Sequence, residues 1–200
     1  MSDERTLAVY DAKAEEYARI NLAEGPNPAL TAFIEQLPTN SFILDFGCGP
    51  AIEANIIRSA GLRVDPMDGS HEMVKLANAT YGIGARQALF DELEGESIYD
   101  GIWANYSLLH ASEAAFPQLL KALHTALKPR GWFHIAMKLG EGTSRDKIER
   151  NYTYYSEPVL LDHLTKAGFE PLDITRGKSA GMSGEISPWI TVLSRGKSDV

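Results

Sequence analysis

Cysteine is almost absent from this chain: Cys48 is the single one in 200 residues, which excludes an internal disulfide. Long apolar runs are missing too. None approaches the roughly 20 residues needed to cross a bilayer, and the N-terminus lacks the charged start and apolar core of a secretion signal. A cytoplasmic address without a membrane partner is the expectation. Positive charge is scarce, with 19 lysines and arginines against 27 acids and a net charge of −8. No basic stripe is present, so attraction to nucleic-acid phosphates is not indicated. The histidines His71, His110, His124, His134 and His163 show no paired ligand spacing with the lone cysteine, so no metal is expected. No proline- or glycine-rich tract divides the chain. With 44% hydrophobic residues, the expectation is one domain over residues 1–200 with a sizeable core.

What the chain does have is a sharp turn. The apolar run Ile43-Leu44-Asp45-Phe46 gives way to Gly47-Cys48-Gly49-Pro50-Ala51 and then to an alanine-rich helical pattern. That reads as a buried strand bending into a helix. Glycines remove the β-carbons that hold a ligand off the backbone, and a helix start offers unpaired N–H groups, so a carboxylate or phosphate is expected to sit there. Nineteen residues after Gly49 comes Asp68, in Met67-Asp68-Gly69-Ser70. The dinucleotide fingerprint G-x-G-x-x-G has a third glycine where this chain has Ile52, which weakens an NAD reading.

Around this centre the elements alternate. Helix formers run from Leu7 to Ala18, with Tyr10, Ala14 and Tyr17 on one side. Asn27-Pro28 starts a helix over 29–37. Strands are expected at 41–46, 62–67, 85–90, 99–104, 132–139, 169–175 and 189–193, with helices at 51–60, 72–80, after Ser112 as cap, and from 156 to 167. Leu119, Leu120, Leu123 and Leu127 make the buried stripe of the helix after Ser112. Residues 128–131 read as a tight turn, 140–147 as a polar candidate substrate loop, and 176–187 as another loop. Such alternation argues for an α/β fold: a doubly wound, mostly parallel, seven-stranded sheet with helices on both faces.

Asp45-x-Gly47-x-Gly49 followed by Asp68 resembles motif I and the acidic partner of the class I S-adenosylmethionine-dependent methyltransferases, across nearly the whole chain. The third position, often glycine in that family, is Ala51 here, and the family's Lys-Pro-Gly-Gly turn is Lys128-Pro129-Arg130-Gly131. A narrower likeness, through Tyr-Asp-Gly-Ile-Trp-Ala, Ser-Leu-Leu-His and Lys-x-Gly-Glu-Gly, is to small bacterial methyltransferases of the tellurite-resistance type. The resemblance implies a Rossmann-like sheet whose last two strands form an antiparallel hairpin, S-adenosyl-L-methionine as cofactor, and a lid over it from the Tyr-Asp-x-x-Ala-x-x-Tyr segment within residues 1–38, ahead of a core over 39–195.

Site roles follow from the same resemblance. Gly47, Cys48 and Gly49 pack against the cofactor, with Asp45 organising its amino-acid end. Asp68 accepts the ribose hydroxyls, with Gly69 and Ser70 beside it and Asp65 as a rival. Leu89 and Phe90 meet adenine, Ala104 and Asn105 lie by the ammonium, and Tyr17 belongs to the lid. Transfer from a sulfonium is an in-line displacement in which placement does most of the work. An acceptor with a proton to lose needs a base, and His110, at the ligand-binding edge after strand four, is the candidate catalytic residue; the alternative is that it packs the loop. Trp189, Tyr152, Tyr154 and Tyr155 are candidates for the acceptor border, and Lys138 and Arg150 for anion recognition. The expected partner is a small-molecule methyl acceptor, and the protein a monomer or homodimer. A cofactor-binding regulatory or scaffold protein and an NAD-dependent dehydrogenase are the competing readings.

Overall fold

The computed structural model describes residues 3–23 and 27–197. The elements run α1 (Glu4–Ala23), α2 (Pro28–Ile34), β1 (Phe42–Phe46), α3 (Ile52–Ser59), β2 (Arg63–Asp68), α4 (His71–Tyr81) and β3 (Arg86–Gln87). They continue with β4 (Tyr99–Asn105), α5 (Phe116–Ala126), β5 (Leu127–Lys138), β6 (Gly142–Arg145), β7 (Asn151–Tyr154), α6 (Glu157–Lys166), β8 (Phe169–Ala180) and β9 (Ile186–Gly196). Seven strands form one sheet in the order β3-β2-β1-β4-β5-β9-β8. Six are mutually parallel, and β9 runs antiparallel between β5 and β8. The doubly wound sheet and its closing hairpin are therefore present. Among the described residues no helix is long and apolar enough to cross a membrane.

Both faces are covered by helices. Phe116, Leu119, Leu120 and Leu123 of α5 and Leu160 and Leu164 of α6 bury against Phe133, Ile135 and Met137 of β5. Leu30 and Phe33 of α2 and Ile57 of α3 bury against Ile43, Trp103 and Trp132 on the opposite face. Between α3 and α4 the contact is made by small residues, Ala51, Ala54 and Ala77, which let the two helices close in beside the turn.

Several boundaries depart from the sequence expectation. The strand expected at 85–90 pairs only at Arg86 and Gln87; the Leu89 N–H turns to Glu92 Oε2 at 2.7 Å, and Phe90–Glu92 is a single 3-10 turn. Ser112 Oγ accepts from Ala115 N–H at 3.3 Å in the turn ahead of α5, which itself starts only at Phe116, and Leu127 leaves the helix stripe to begin β5. The turn at 128–131 lies within β5, as an irregularity between Tyr99 and Gly101 of its partner strand. The candidate substrate loop at 140–147 contains β6, which pairs with β7 in a separate two-stranded sheet. The segment 176–187 is not a loop but the far half of the β8–β9 hairpin, paired out to Ala180 and Ile186. At 128–131, 140–147 and 176–187 cross-strand hydrogen bonding overrode the polar, glycine-bearing composition.

Candidate functional site

The turn after β1 is pinned to the end of β2. The N–H groups of Gly47 and Cys48 both donate to the Met67 carbonyl at 2.9 Å, and Gly49 N–H donates to Asp68 Oδ2 at 2.8 Å. Asp68 Oδ1 accepts from Ser70 N–H at 2.8 Å. The turn and the acid, nineteen residues apart, are thus one hydrogen-bonded unit. These bonds also correct the expectation of an anion site: the N–H groups of residues 47–49 are already engaged by protein oxygens. Gly47 has φ +84°, and a β-carbon there would lie 2.3 Å from Ser107 Cβ. Glycine is therefore required at 47 both by conformation and by close approach.

A cavity lies over this unit, lined by Gly47, Gly49, Asp68, Gly69, Met73 and Phe90 below and by Asn105, Tyr106, Ser107 and His110 at one end. Asp3, Thr6, Leu7, Tyr10 and Tyr17 of the N-terminal segment close it from above. The covered space is about 70 Å³, whereas small-molecule sites begin near roughly 300 Å³. With α1 in this position, the covered space alone does not hold a nucleoside-sized ligand. A second cavity of about 720 Å³ meets the first at Tyr17, Gly47, Gly49, Asn105 and Tyr106.

Beneath the turn lies a buried acid. Asp45 is 3% exposed, and its Oδ2 has no hydrogen-bond partner. Burial pushes its pKa well above the usual carboxylate range, the charges of Glu53 and Asp68 add to this, and a backbone N–H from Ala54 opposes it. Ser107 Oγ is likewise buried without a partner. A cationic or N–H-bearing ligand group satisfies the Asp45 oxygen, whereas the Ser107 hydroxyl can either donate or accept. Asp68 is also raised by burial, against the pull of the Ser70 and Gly49 N–H groups. Asp65 faces elsewhere, engaged by Arg86 Nε at 3.0 Å and the Tyr99 hydroxyl.

Of the sequence candidates, Tyr17, Gly47, Gly49, Asp68, Gly69, Phe90, Asn105 and His110 line the first cavity. Cys48 lines only the second. Ala104 is fully buried in the core. Ser70 is occupied, its hydroxyl donating to Asp11 Oδ1 at 2.6 Å and accepting from Met73 N–H at 3.2 Å. Leu89 reaches the site only as a neighbour of Gly69.

His110 sits in a chain of hydrogen bonds. Its Nδ1 is 2.7 Å from the Asn151 carbonyl, which can only accept, so Nδ1 carries the proton and Nε2 accepts from the Tyr10 hydroxyl at 2.7 Å. Arg150 Nη1 donates to the same hydroxyl at 3.1 Å. Burial lowers His110 to about 4, partly opposed by the Asn151 bond. Arg150 is 3% exposed and paired with Asp146 at 2.7 Å, so its charge is balanced within the protein and the anion-binding role expected for it does not follow. Lys138 lies 4.4 Å over the Tyr152 ring. Tyr152 and Tyr154 share a face, their rings stacked at 5.8 Å, and Tyr155 turns into the core against Phe116.

Sequence reasoning missed Glu53. One turn into α3, its carboxylate accepts from Asn27 Nδ2 at 2.7 Å, Trp103 Nε1 at 2.7 Å and Asn105 Nδ2 at 3.0 Å. The only advance signal was an acid in the first turn of a helix. Among the described residues no three of His, Cys, Asp and Glu are grouped to hold a metal ion.

Comparison with known proteins agrees with this geometry. Residues 15–174 match a family model described as a methyltransferase domain. No curated protein matches the chain. Among solved structures, the Burkholderia thailandensis 1,6-didemethyltoxoflavin-N1-methyltransferase, with 1,6-didemethyltoxoflavin and S-adenosylhomocysteine bound, superposes with a TM-score of 0.77 at 23% identity, covering 97% of this chain and 88% of that one. A SAM-dependent methyltransferase of Methanosarcina mazei gives 0.75 at 16% identity over 87% and 99%. The [4+2]-cyclase SpnF gives 0.67 at 16% over 85% and 82%. These likenesses establish the fold.

Proposed function

The chain belongs to the methyltransferase-domain family, and from that premise we propose that it is a class I S-adenosyl-L-methionine-dependent methyltransferase acting on a small molecule. The observation that carries this reading is the 2.8 Å bond from Gly49 N–H to Asp68, which closes turn and acid into one cradle beside the unpartnered Asp45 Oδ2. The donor set suits the cofactor. Asp68 keeps lone pairs for a ribose diol, Phe90, Met73 and Leu7 offer apolar surface to adenine, and the buried Asp45 beneath the turn favours a cationic amino-acid end above it. When bound, the cofactor would supply a methyl carbon activated by a positively charged sulfur.

The protein's contribution is placement and a path for the acceptor's proton. His110 Nε2 already holds a hydrogen bond from Tyr10, so a proton shed by an O–H or N–H acceptor reaches it through the phenol. The Tyr10 oxygen takes that proton as its own moves to Nε2, 2.7 Å away. Arg150 beside that oxygen steadies developing negative charge. Support for a small acceptor comes from the net charge of −8 and from the Burkholderia neighbour, which bears a small heterocycle. The reading carries with it a cytoplasmic protein of one domain, with residues 1–38 as lid, working as monomer or homodimer. The small bacterial, tellurite-resistance-type branch remains the proposed kinship.

A second reading, cofactor binding without transfer, is favoured by one feature: both ring nitrogens of His110 are engaged within the protein. Labelled S-adenosylmethionine incubated with the protein and a small-molecule extract decides between them. The enzyme labels a compound, and His110→Ala slows labelling about 100-fold with cofactor affinity retained. An absence of labelled product selects the scaffold, and an unchanged rate in His110→Ala removes the relay.

A further inference from the structure

We propose that the larger cavity is the acceptor chamber and that it takes a flat, N–H-bearing heterocycle rather than an anion; this rests on the cofactor lying in the smaller cavity. The two cavities share the wall formed by Tyr17, Gly47, Gly49, Asn105 and Tyr106, so the acceptor's reacting atom crosses that wall to reach the cofactor side, where Tyr10 stands edge-on to Tyr17 at 5.6 Å. The chamber's volume of about 720 Å³ suits a small organic molecule.

Its shape follows from the sheet. On the face carrying α2 and α3, the cavity lies between Pro28, Ala29 and Ala32 of α2, Ile52, Glu53 and Ile56 of α3, and the side chains of β5, β9 and β8. The floor is His134, 2% exposed and stacked flat on Trp103 with centroids 3.7 Å apart. Its Nε2 has no hydrogen-bond partner, so a buried polar group at the chamber stands unanswered by the protein itself. Trp189 forms a wall. Its indole lies across β8 where residue 177 is glycine, and a β-carbon there would meet the ring at 2.3 Å. An aromatic wall and an aromatic floor favour a planar ligand.

Two of the polar groups are oxygens that can only accept. Glu53 fixes the Asn105 amide with its NH₂ toward the carboxylate, at 3.0 and 3.1 Å, because a carboxylate can only accept. The Asn105 carbonyl oxygen is thereby the pole turned away from Glu53, at the wall between the cavities. On β8, exposed Asp173 adds a carboxylate. Of the charged residues lining the chamber two are acids, Glu53 and Asp173, and Lys178 is the cation. Burial holds His134 down to about 3, so it adds no positive charge near neutrality. A ligand offering N–H donors is matched by the Asn105 carbonyl and the Asp173 carboxylate, while a carboxylate or phosphate meets two acids against the single Lys178.

The test is a ligand-observed NMR titration of the full chain saturated with S-adenosylhomocysteine, using 2-aminopyrimidine and cytosine as probes and benzoate and phenyl phosphate as flat anionic controls. The aminoheterocycles are expected to bind at least about tenfold tighter than the anions. Asp173→Ala, on an exposed edge strand, and Trp189→Ala are each expected to weaken them about fivefold or more, with S-adenosylhomocysteine affinity unchanged. No aminoheterocycle binding, anions bound equally well, or both variants binding like the parent overturns the proposal. If S-adenosylhomocysteine itself fails to bind, the cofactor reading falls separately, and the same titration on the protein alone still decides the chamber's preference.

Discussion

At the scale of single residues, the site holds a carboxylate that costs the fold stability. Asp45 is buried, lacks a partner on Oδ2, and feels Glu53 and Asp68. Its folded pKa lies above its unfolded value, so its favourable contribution is present below the unfolded value and is lost as pH rises through the folded one. Asp45→Asn keeps the shape without the charge. Thermal melts are expected to show the variant more stable by about 1 kcal/mol at pH 8, with the advantage shrinking as the buffer is acidified, while its affinity for S-adenosylhomocysteine drops about tenfold or more. A variant less stable at pH 8 contradicts this. Two departures from the family pattern also acquire a physical meaning. Ala51 and Arg130 replace usual glycines, and both adopt left-handed backbone with φ +60°, which strains a residue bearing a β-carbon. Arg130 is exposed, so Arg130→Gly is expected to raise stability by about 0.5–1 kcal/mol, read as an upward shift in Tm; a lower Tm refutes that assignment.

At the scale of elements, α1 is the part that moves in this account, and its fastenings are polar. Asp3 pairs with Arg145 of β6 at 2.8 Å, Thr6 Oγ1 accepts from Asn151 N–H of β7 at 2.9 Å, and Tyr10 joins His110 and Arg150. Asp11 sits at the start of α4, accepting from Ser70 Oγ at 2.6 Å and Glu72 N–H at 3.1 Å. Asp11→Ala removes one fastening and one helix-start acceptor, worth about 1 kcal/mol. Stopped-flow release of S-adenosylhomocysteine from this variant is expected to be about fivefold faster than from the parent, and equal release rates show that α1 does not gate the site. That Tyr10 and Tyr17 share one side of α1 was legible in their spacing, the lid role came from the family resemblance and stays a proposal, and the fastenings of α1 were not legible. Residues 140–147 read as a loop because glycine, serine and threonine suppress local strand preference; only pairing with Asn151–Tyr154, which no local pattern reveals, makes them β6. Glu53 was hidden for a similar reason. Its three donors come from Asn27, Trp103 and Asn105, far apart in the chain.

At the scale of the whole molecule, apolar runs ending in glycine and acid were enough to give the seven strands of the main sheet and the helices between them, though not β6 and β7, since the alternation of periods two and 3.6 survives single substitutions. The closing hairpin came from resemblance rather than from pattern, and its length exceeded expectation because β8 and β9 stay paired through a polar stretch. The sheet brings the ends of β1, β2 and β4 to one edge, where open α/β sheets bind ligands. Turn, acid and His110 meet there although they span residues 47 to 110. The cradle between Gly49 and Asp68 as the cofactor seat is the premise on which the relay, the lid and the acceptor chamber all depend. Isothermal titration with S-adenosylhomocysteine tests it most directly: one molecule per chain is expected for the parent, with affinity reduced about tenfold or more in Asp68→Ala. No heat of binding in the parent, or undiminished affinity in Asp68→Ala, contradicts the account.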